Sequence, residues 1–451
     1  MLQSINPYTL ETLTTHPALT AEELEAKIQL AQSSFLSWRE SSFAHRREKL
    51  QKLGQHIGRH IEDYARLASL EMGKPVQESR AELKKCTWLC DFYAEKAIEF
   101  LQNETIGTDA AQSWVSYEPL GAVLAVMPWN YPWWQVLRFA APALMAGNVG
   151  LLKHAPNVQG TAHMIEEAFA EAGFPEGTFQ NLPIEVEQVP GVIAHPVVKA
   201  VTLTGSGRAG SAVAALAGKA IKKQVLELGG SNAFIVLDDA DLDRAVQVGL
   251  QARMQNNGQS CIAAKRFFLQ KGIAKHFIEC FRVGLEDYIM GNPLDEASNL
   301  GPLARVDLAE ELERQVRESI EKGAQLISGG NRAEAFFEPT LLSGVKPGMP
   351  AFDEELFGPV AAVCIVEDLE EAISLSNLST FGLGASIFTS DIEQAVKAAR
   401  NFEDGAVFIN DLVKSDPRLP FGGTKASGYG RELSLLGIRE FCNAKTIYVR
   451  H

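Results

Sequence analysis

Apolar positions follow two different rhythms along this 451-residue chain. Over residues 20–102 they recur every three or four positions, as in LQKLGQHIGRHIEDYARLASL. That spacing predicts a nearly all-helical run. Thr20 followed by Glu23 reads as a capping box at its start. Residues 113–119, SWVSYEP, alternate apolar and polar side chains and read as a strand. Beyond them, short β-rich runs alternate with helical stretches. The runs are AVLAVMP, NVGLLKH, AVTLTGS, NAFIVLD, KRFFLQ, VAAVCIVE, ASIFTSD and AVFIND. Strands alternating with helices imply an α/β fold with parallel sheets. The length suggests two or three domains at about 150 residues each. With no tandem repeat and no low-complexity linker, those domains are expected to interleave.

Composition narrows the function. Hydrophobic residues make up 46% of the chain and charged residues 22%, enough for a large core without metals or disulfide staples. The formal net charge of −14 argues against nucleic acid or an anionic membrane as partner. No stretch approaches the ~20 apolar residues of a membrane span. The first residues, MLQSINPYTLETL, lack the basic and apolar regions of a secretory signal. Cys86, Cys90, Cys261, Cys280, Cys364 and Cys442 follow no disulfide-framework spacing, so a reducing cytoplasm is the expected location. Cys86 and Cys90, like His56 and His60, stand four apart on helical stretches, but neither pair has a matching second pair. Ile57 occupies the place where a zinc-protease helix needs Glu. No metal is expected. There is no Walker A sequence and no G-x-S-x-G elbow.

Three places carry chemistry. In NNGQSCIAAKR (256–266), Cys261 sits in a glycine- and amide-rich turn, although a free cysteine is more often a small core hydrophobe. In AVTLTGSGRAG, Gly205, Gly207 and Gly210 spell G-x-G-x-x-G where a strand enters a helix. Bare N–H groups and the helix dipole favour a phosphate there, though a glycine-rich helix start explains the motif equally well. The Rossmann rule would make Glu227, 17 residues past Gly210, a ribose ligand. Its setting in KKQVLELGGSNAFIVL points elsewhere. A carboxylate between Leu226 and Leu228, followed by two glycines, is suited by desolvation to general-base work near neutrality. Asn130, in MPWNYPWW, ends a strand just before Pro132 opens a helix. A thiol, a carboxylate and an amide donor are the parts needed for acyl-thioester chemistry.

PWNYP, LELGGSN, GQSC, EELFGPV and FGGTKASGYGRE stand in one order and spacing, and on them the sequence resembles the aldehyde dehydrogenases over essentially its whole length. WNYPWWQVLR, LLKHAPN and KSDPRLPFGG make it similar to bacterial succinate-semialdehyde dehydrogenases of the short NAD(P)-dependent type. The resemblance implies that Cys261 attacks the aldehyde and that Asn130 and the Cys261 N–H hold the oxyanion. Hydride then passes to NAD+ or NADP+, and Glu227 activates the water that releases the acid. It places Lys153 at the adenine ribose, Gly205 and Ser206 at the pyrophosphate, and Glu355 at the nicotinamide ribose. Phe357 and Trp129 fall in the nicotinamide cleft. Pro156 stands where NAD-preferring relatives often carry Glu, and it can neither bond a ribose nor repel a 2′-phosphate. Ala263 replaces the second cysteine of some relatives, removing a local disulfide switch.

For the substrate, the resemblance implies succinate semialdehyde, its distal carboxylate on Arg138 and Ser415 and its carbon stem against Trp134. Arg418 is a weaker candidate for the same role. A broader aliphatic or aromatic aldehyde dehydrogenase is the alternative. A non-redox thiol hydrolase or acyltransferase would leave the cofactor positions unexplained, and a non-catalytic binding protein would leave Cys261, Glu227 and Asn130 unexplained. The implied architecture has a dinucleotide-binding domain (1–106 and 121–229), a catalytic domain (230–427) and an oligomerisation arm with C-terminal tail (107–120 and 428–451). The arm's open strand edges need cover, so a homodimer or homotetramer is expected.

Overall fold

The computed structural model describes residues 1–450. Four helices, Ala21–Trp38, Phe43–Arg59, Ile61–Met72 and Val76–Phe100, occupy the stretch read as helical. The capping box forms at Thr20 and Glu23. The apolar rhythm runs unbroken from residue 50 to 70, but the helix does not. His60 leaves helical geometry at φ −109°, ψ 18°, and the next helix ends at Gly73 with φ +84°. The 25-residue helix Val76–Phe100 buries Leu83, Cys86, Leu89, Cys90 and Tyr93 in the core. Cys86 and Cys90 are thus packing residues, their thiols pushed up by burial. One element was not expected: the N-terminal hairpin Leu2–Ile5 with Thr12–His16. It docks through Ser4, whose hydroxyl donates to Glu71 at 2.6 Å.

All eight apolar runs form strands. Ala122–Met127, Val149–His154 and Val198–Thr204 lie in a six-stranded sheet together with Phe179–Asn181, Lys223–Glu227 and Gly428–Tyr429. Its strands are parallel except Gly428–Tyr429, which pairs antiparallel at one edge. Asn232–Val236, Ala264–Gln270, Val360–Val366, Ala385–Phe388 and Val407–Ile409 lie in a seven-stranded sheet, parallel but for one edge pair. The inner strands are buried along nearly their whole length, as expected where helices cover both faces of a parallel sheet.

Gln112–Pro119 pairs in eight-residue antiparallel register with Cys442–Val449, and Glu104–Thr105 joins the other side of Gln112–Pro119. This third sheet therefore begins at 104, slightly before the expected arm. The expected tail also divides: Gly428–Tyr429 belongs to the six-stranded sheet. Among the described residues no helix is long and apolar enough to cross a membrane.

Candidate active site

The two large sheets meet end to end. Asn130, Lys153, Gly205, Ser206 and Glu227 lie at or just past the carboxyl ends of strands in the six-stranded sheet. Cys261, Glu355 and Phe357 lie just before the amino ends of strands in the seven-stranded sheet. The candidate residues, spread over residues 130–357, thus all lie at or near strand ends.

The cysteine turn shows why amides surround the thiol. Asn256 and Asn257 both adopt left-handed backbone, φ +56°, a conformation asparagine tolerates better than most residues. Gly258 follows at φ +73°, where any side chain would strike the Gly358 backbone. The side chains then fasten the turn. Asn256 donates from Nδ2 to the Asn130 carbonyl at 2.8 Å and the Gln259 carbonyl at 2.9 Å. Asn257 donates to the Gly73 and Pro302 carbonyls and accepts from the Gly301 N–H. The Asn256 N–H donates to Glu78, a half-buried carboxyl pushed up to about 7 by desolvation. Lys265, fully buried, donates to the carbonyls of Ser260 and Cys261 and to Glu355 at 2.8–2.9 Å. The thiol itself is half-buried and opens on a cavity of about 680 Å³. Desolvation pushes the thiol up to about 11, with Arg138 and Lys265 pulling it back.

Asn130 is buried, and its Nδ2 donates to the Gln259 carbonyl at 3.0 Å. An amide carries a second N–H, which remains for a ligand. Glu227 is 2% exposed, with both carboxylate oxygens unpaired. Desolvation, then the negative charge of Glu432, raises it well above the usual carboxylate range, while Arg138 opposes. Neither Asn130 nor Glu227 lines the cavity. The Glu227 carboxylate packs beside Gly422.

On the cofactor side, Trp129 and Phe357 meet edge to face, 5.9 Å between centroids. Glu355 accepts from the Gly230 N–H at 3.1 Å, and it lies so close to Gly229 that a Cβ there would collide with it. Lys153 is buried and donates only to the His154 carbonyl, at 3.1 Å, and Pro156 is exposed at the start of a helical turn. The G-x-G-x-x-G reading is corrected in part. The Gly205 N–H is spent on the Glu227 carbonyl, and Gly210 exists for close packing against Leu228. Ser206 caps the helix Gly207–Lys219 by accepting from the Ala209 N–H, and Gly207 faces open space. An open helix start, a buried lysine with no carboxylate partner among the described residues and an aromatic rim fit a dinucleotide.

On the substrate side, Trp134, Arg138 and Ser415 all line the cavity with Cys261. Arg138, however, is buried and ion-paired with Glu432, and it also touches Thr204. Arg418 does not line the cavity. It is exposed, held by Asp416 through two bonds, and stacked on Trp88, which removes it from the substrate candidates. Sequence reading missed Lys85, Glu432, Lys265 and Glu78. Glu432 and Lys265 lie inside the quoted segments FGGTKASGYGRE and NNGQSCIAAKR. Glu78, Glu82 and Lys85 are spaced four and three apart, so a polar stripe on an otherwise core helix was the available signal.

A mostly parallel sheet carrying a buried carboxylate at its strand ends, beside a second sheet preceded by a half-buried thiol, is an arrangement suited to cysteine-dependent chemistry. The chain belongs to the aldehyde dehydrogenase family, whose model matches residues 1–447. It is 49% identical over 451 residues to a probable succinate-semialdehyde dehydrogenase [NADP(+)] of Synechocystis sp., covering 99% of both chains. It is 48% identical to the succinate semialdehyde dehydrogenase [NAD(P)+] Sad of Escherichia coli K12, covering 99% of this chain and 97% of that one. Among solved structures, succinic semialdehyde dehydrogenase from Streptococcus pyogenes in complex with NADP+ superposes with a TM-score of 0.98 at 38% identity, each chain fully covered.

Proposed function

We propose that the protein oxidises succinate semialdehyde to succinate with NAD+ or NADP+. The observation that carries this reading is one cavity with the Cys261 thiol in its wall and Lys85, Arg138 and Ser415 among its lining residues. An aldehyde with a distal carboxylate matches that lining. A neutral aldehyde would leave the Lys85 ammonium in that wall without a carboxylate partner. The relatives' names point the same way.

The chain's own groups account for the chemistry. The Cys261 thiol gives its proton to solvent in the cavity, Arg138 and Lys265 favouring the thiolate. The thiolate attacks the aldehyde carbon, and the oxyanion forms against the free N–H of Asn130 and the Cys261 N–H. Two such donors contribute a few kcal/mol each. A bound NAD+ or NADP+ would supply the hydride acceptor, and Cys261 would then hold the acyl group as a thioester. Glu227 then takes a proton from water, which attacks the thioester, and the acid leaves. Lys153, Ser206 and Glu355 would hold the dinucleotide, with Gly205 shaping the loop and Trp129 and Phe357 enclosing the ring. Pro156 offers no carboxylate to repel a 2′-phosphate, so NADP+ is accepted.

In this reading residues 1–106 and 121–229 bind the cofactor, 230–427 supply the thiol, and the arm joins copies of a cytoplasmic homodimer or homotetramer. The test is an aldehyde panel run with both cofactors, following the reduced nicotinamide by absorbance. Succinate semialdehyde should exceed butyraldehyde in kcat/KM by at least 30-fold. Equal values would remove the semialdehyde assignment and leave the family assignment standing.

A further inference from the structure

We propose that Lys85, on the helix Val76–Phe100, is the cation that takes the distal carboxylate of the substrate. The inference rests on the semialdehyde reading above and changes which residue confers it. Arg138 is the obvious candidate, but its charge is already matched. It forms a buried ion pair with Glu432, and Glu227, also buried, lies within its field. With Glu227 ionised, those three groups carry one net negative charge. A further carboxylate would enter a site that repels it, since unbalanced charge is expensive where water is excluded.

Lys85 supplies the missing positive charge. Its ammonium projects into the cavity, donates to Ser415 Oγ at 2.8 Å and sits 4.0 Å from the centre of the Trp134 ring. Neither nearby carboxylate claims it. Glu82 is spent on Lys74 and on the N–H groups of Trp133 and Trp134. Asp416 is spent on Arg418. An ammonium has three donors, so one bond to Ser415 leaves two for a ligand. The tryptophan face and the serine hydroxyl fix its position without neutralising it. Burial and the Arg138 charge lower its proton affinity to about 8, the condition of a cation without a counter-ion. An arriving carboxylate would complete the set.

The experiment compares the kcat/KM ratio, succinate semialdehyde over butyraldehyde, in wild type, Lys85→Met, Lys85→Gln and Lys85→Arg. A ratio is independent of the fraction of enzyme correctly folded, so a partly unstable variant still reports. The ratio should fall at least 30-fold in Lys85→Met and Lys85→Gln, through a higher KM for the semialdehyde. Lys85→Arg, which keeps the charge, should stay within about fivefold of wild type. A wild type that prefers the semialdehyde while both neutral variants keep its ratio within twofold would overturn the proposal and return the role to Arg138. A wild type with no preference would instead overturn the semialdehyde reading, and this inference with it.

Discussion

Among the described residues Glu227 has no hydrogen-bond partner for either oxygen, and its nearest strong influences are two residues already paired with each other, Arg138 and Glu432. That arrangement gives a signed prediction. Where hydrolysis limits turnover, kcat rises with pH as Glu227 loses its proton. Glu432→Gln removes a repelling charge and frees Arg138 to attract Glu227. Both effects lower the Glu227 pKa, so the acid limb of kcat should move to lower pH. A limb that stays in place, or moves up, would mean Glu432 does not act on Glu227. Glu227→Gln itself should give one equivalent of reduced cofactor in rapid mixing and then a steady rate down by about 100-fold, the usual scale for losing a general base. A uniform loss without a burst would put Glu227 before hydride transfer. At this scale the sequence named the individual groups but not their pairing. Cys261, Asn130 and Glu227 stand in recognisable local settings. The Arg138–Glu432 pair and the Lys85–Ser415 contact join residues 294 and 330 positions apart, and no local pattern announces such a contact.

The helix Val76–Phe100 connects the bundle to the cysteine turn through Glu78, which accepts the Asn256 N–H. Burial holds Glu78 at about 7, against 4.5 for an ordinary Glu, with the Asn256 bond and Lys74 opposing. The sign follows from proton counting. Between these two values the unfolded chain has lost the proton and the folded chain keeps it. Stability conferred at this position is therefore greatest below about 4.5, declines as pH rises, and levels off above about 7. Glu78→Gln still accepts the Asn256 N–H but does not titrate. The variant's Tm relative to wild type should therefore climb from pH 5 to pH 8, the energy at stake being at most about 3 kcal/mol. A Tm difference independent of pH would show that Glu78 titrates alike folded and unfolded. Elements themselves were largely legible. A buried parallel strand advertises itself as a short apolar run, and all eight such runs form strands. The break at His60 and the N-terminal hairpin were not legible. The apolar spacing carries through His60 unchanged, and the hairpin's second strand, TLTTH, is mostly exposed and keeps no apolar alternation.

For the whole molecule, the three-stranded sheet raises a question that one chain does not answer. Cys442–Val449 is an edge strand, mostly exposed, with Tyr448 and Val449 open to solvent. An edge of this length presents unpaired N–H and C=O groups, and proteins usually cover such an edge. A second copy of the chain is the cover proposed above. Each copy carries a formal net charge of −14, so association brings like charges together. Strand pairing and apolar contact are short-range and hardly feel salt, whereas the long-range repulsion is screened: the Debye length falls from about 30 Å at 0.01 M to about 8 Å at 0.15 M. The assembly should therefore tighten as salt is added. Light scattering on a sizing column should give two or four times the 49.2 kDa chain mass at 0.15 M salt. The smaller species should gain at 0.01 M and micromolar protein. A 49.2 kDa particle at every salt concentration would show that the edge needs no partner. An assembly that loosens with salt would mean that complementary charge pairs, rather than the strand edge, hold the copies together.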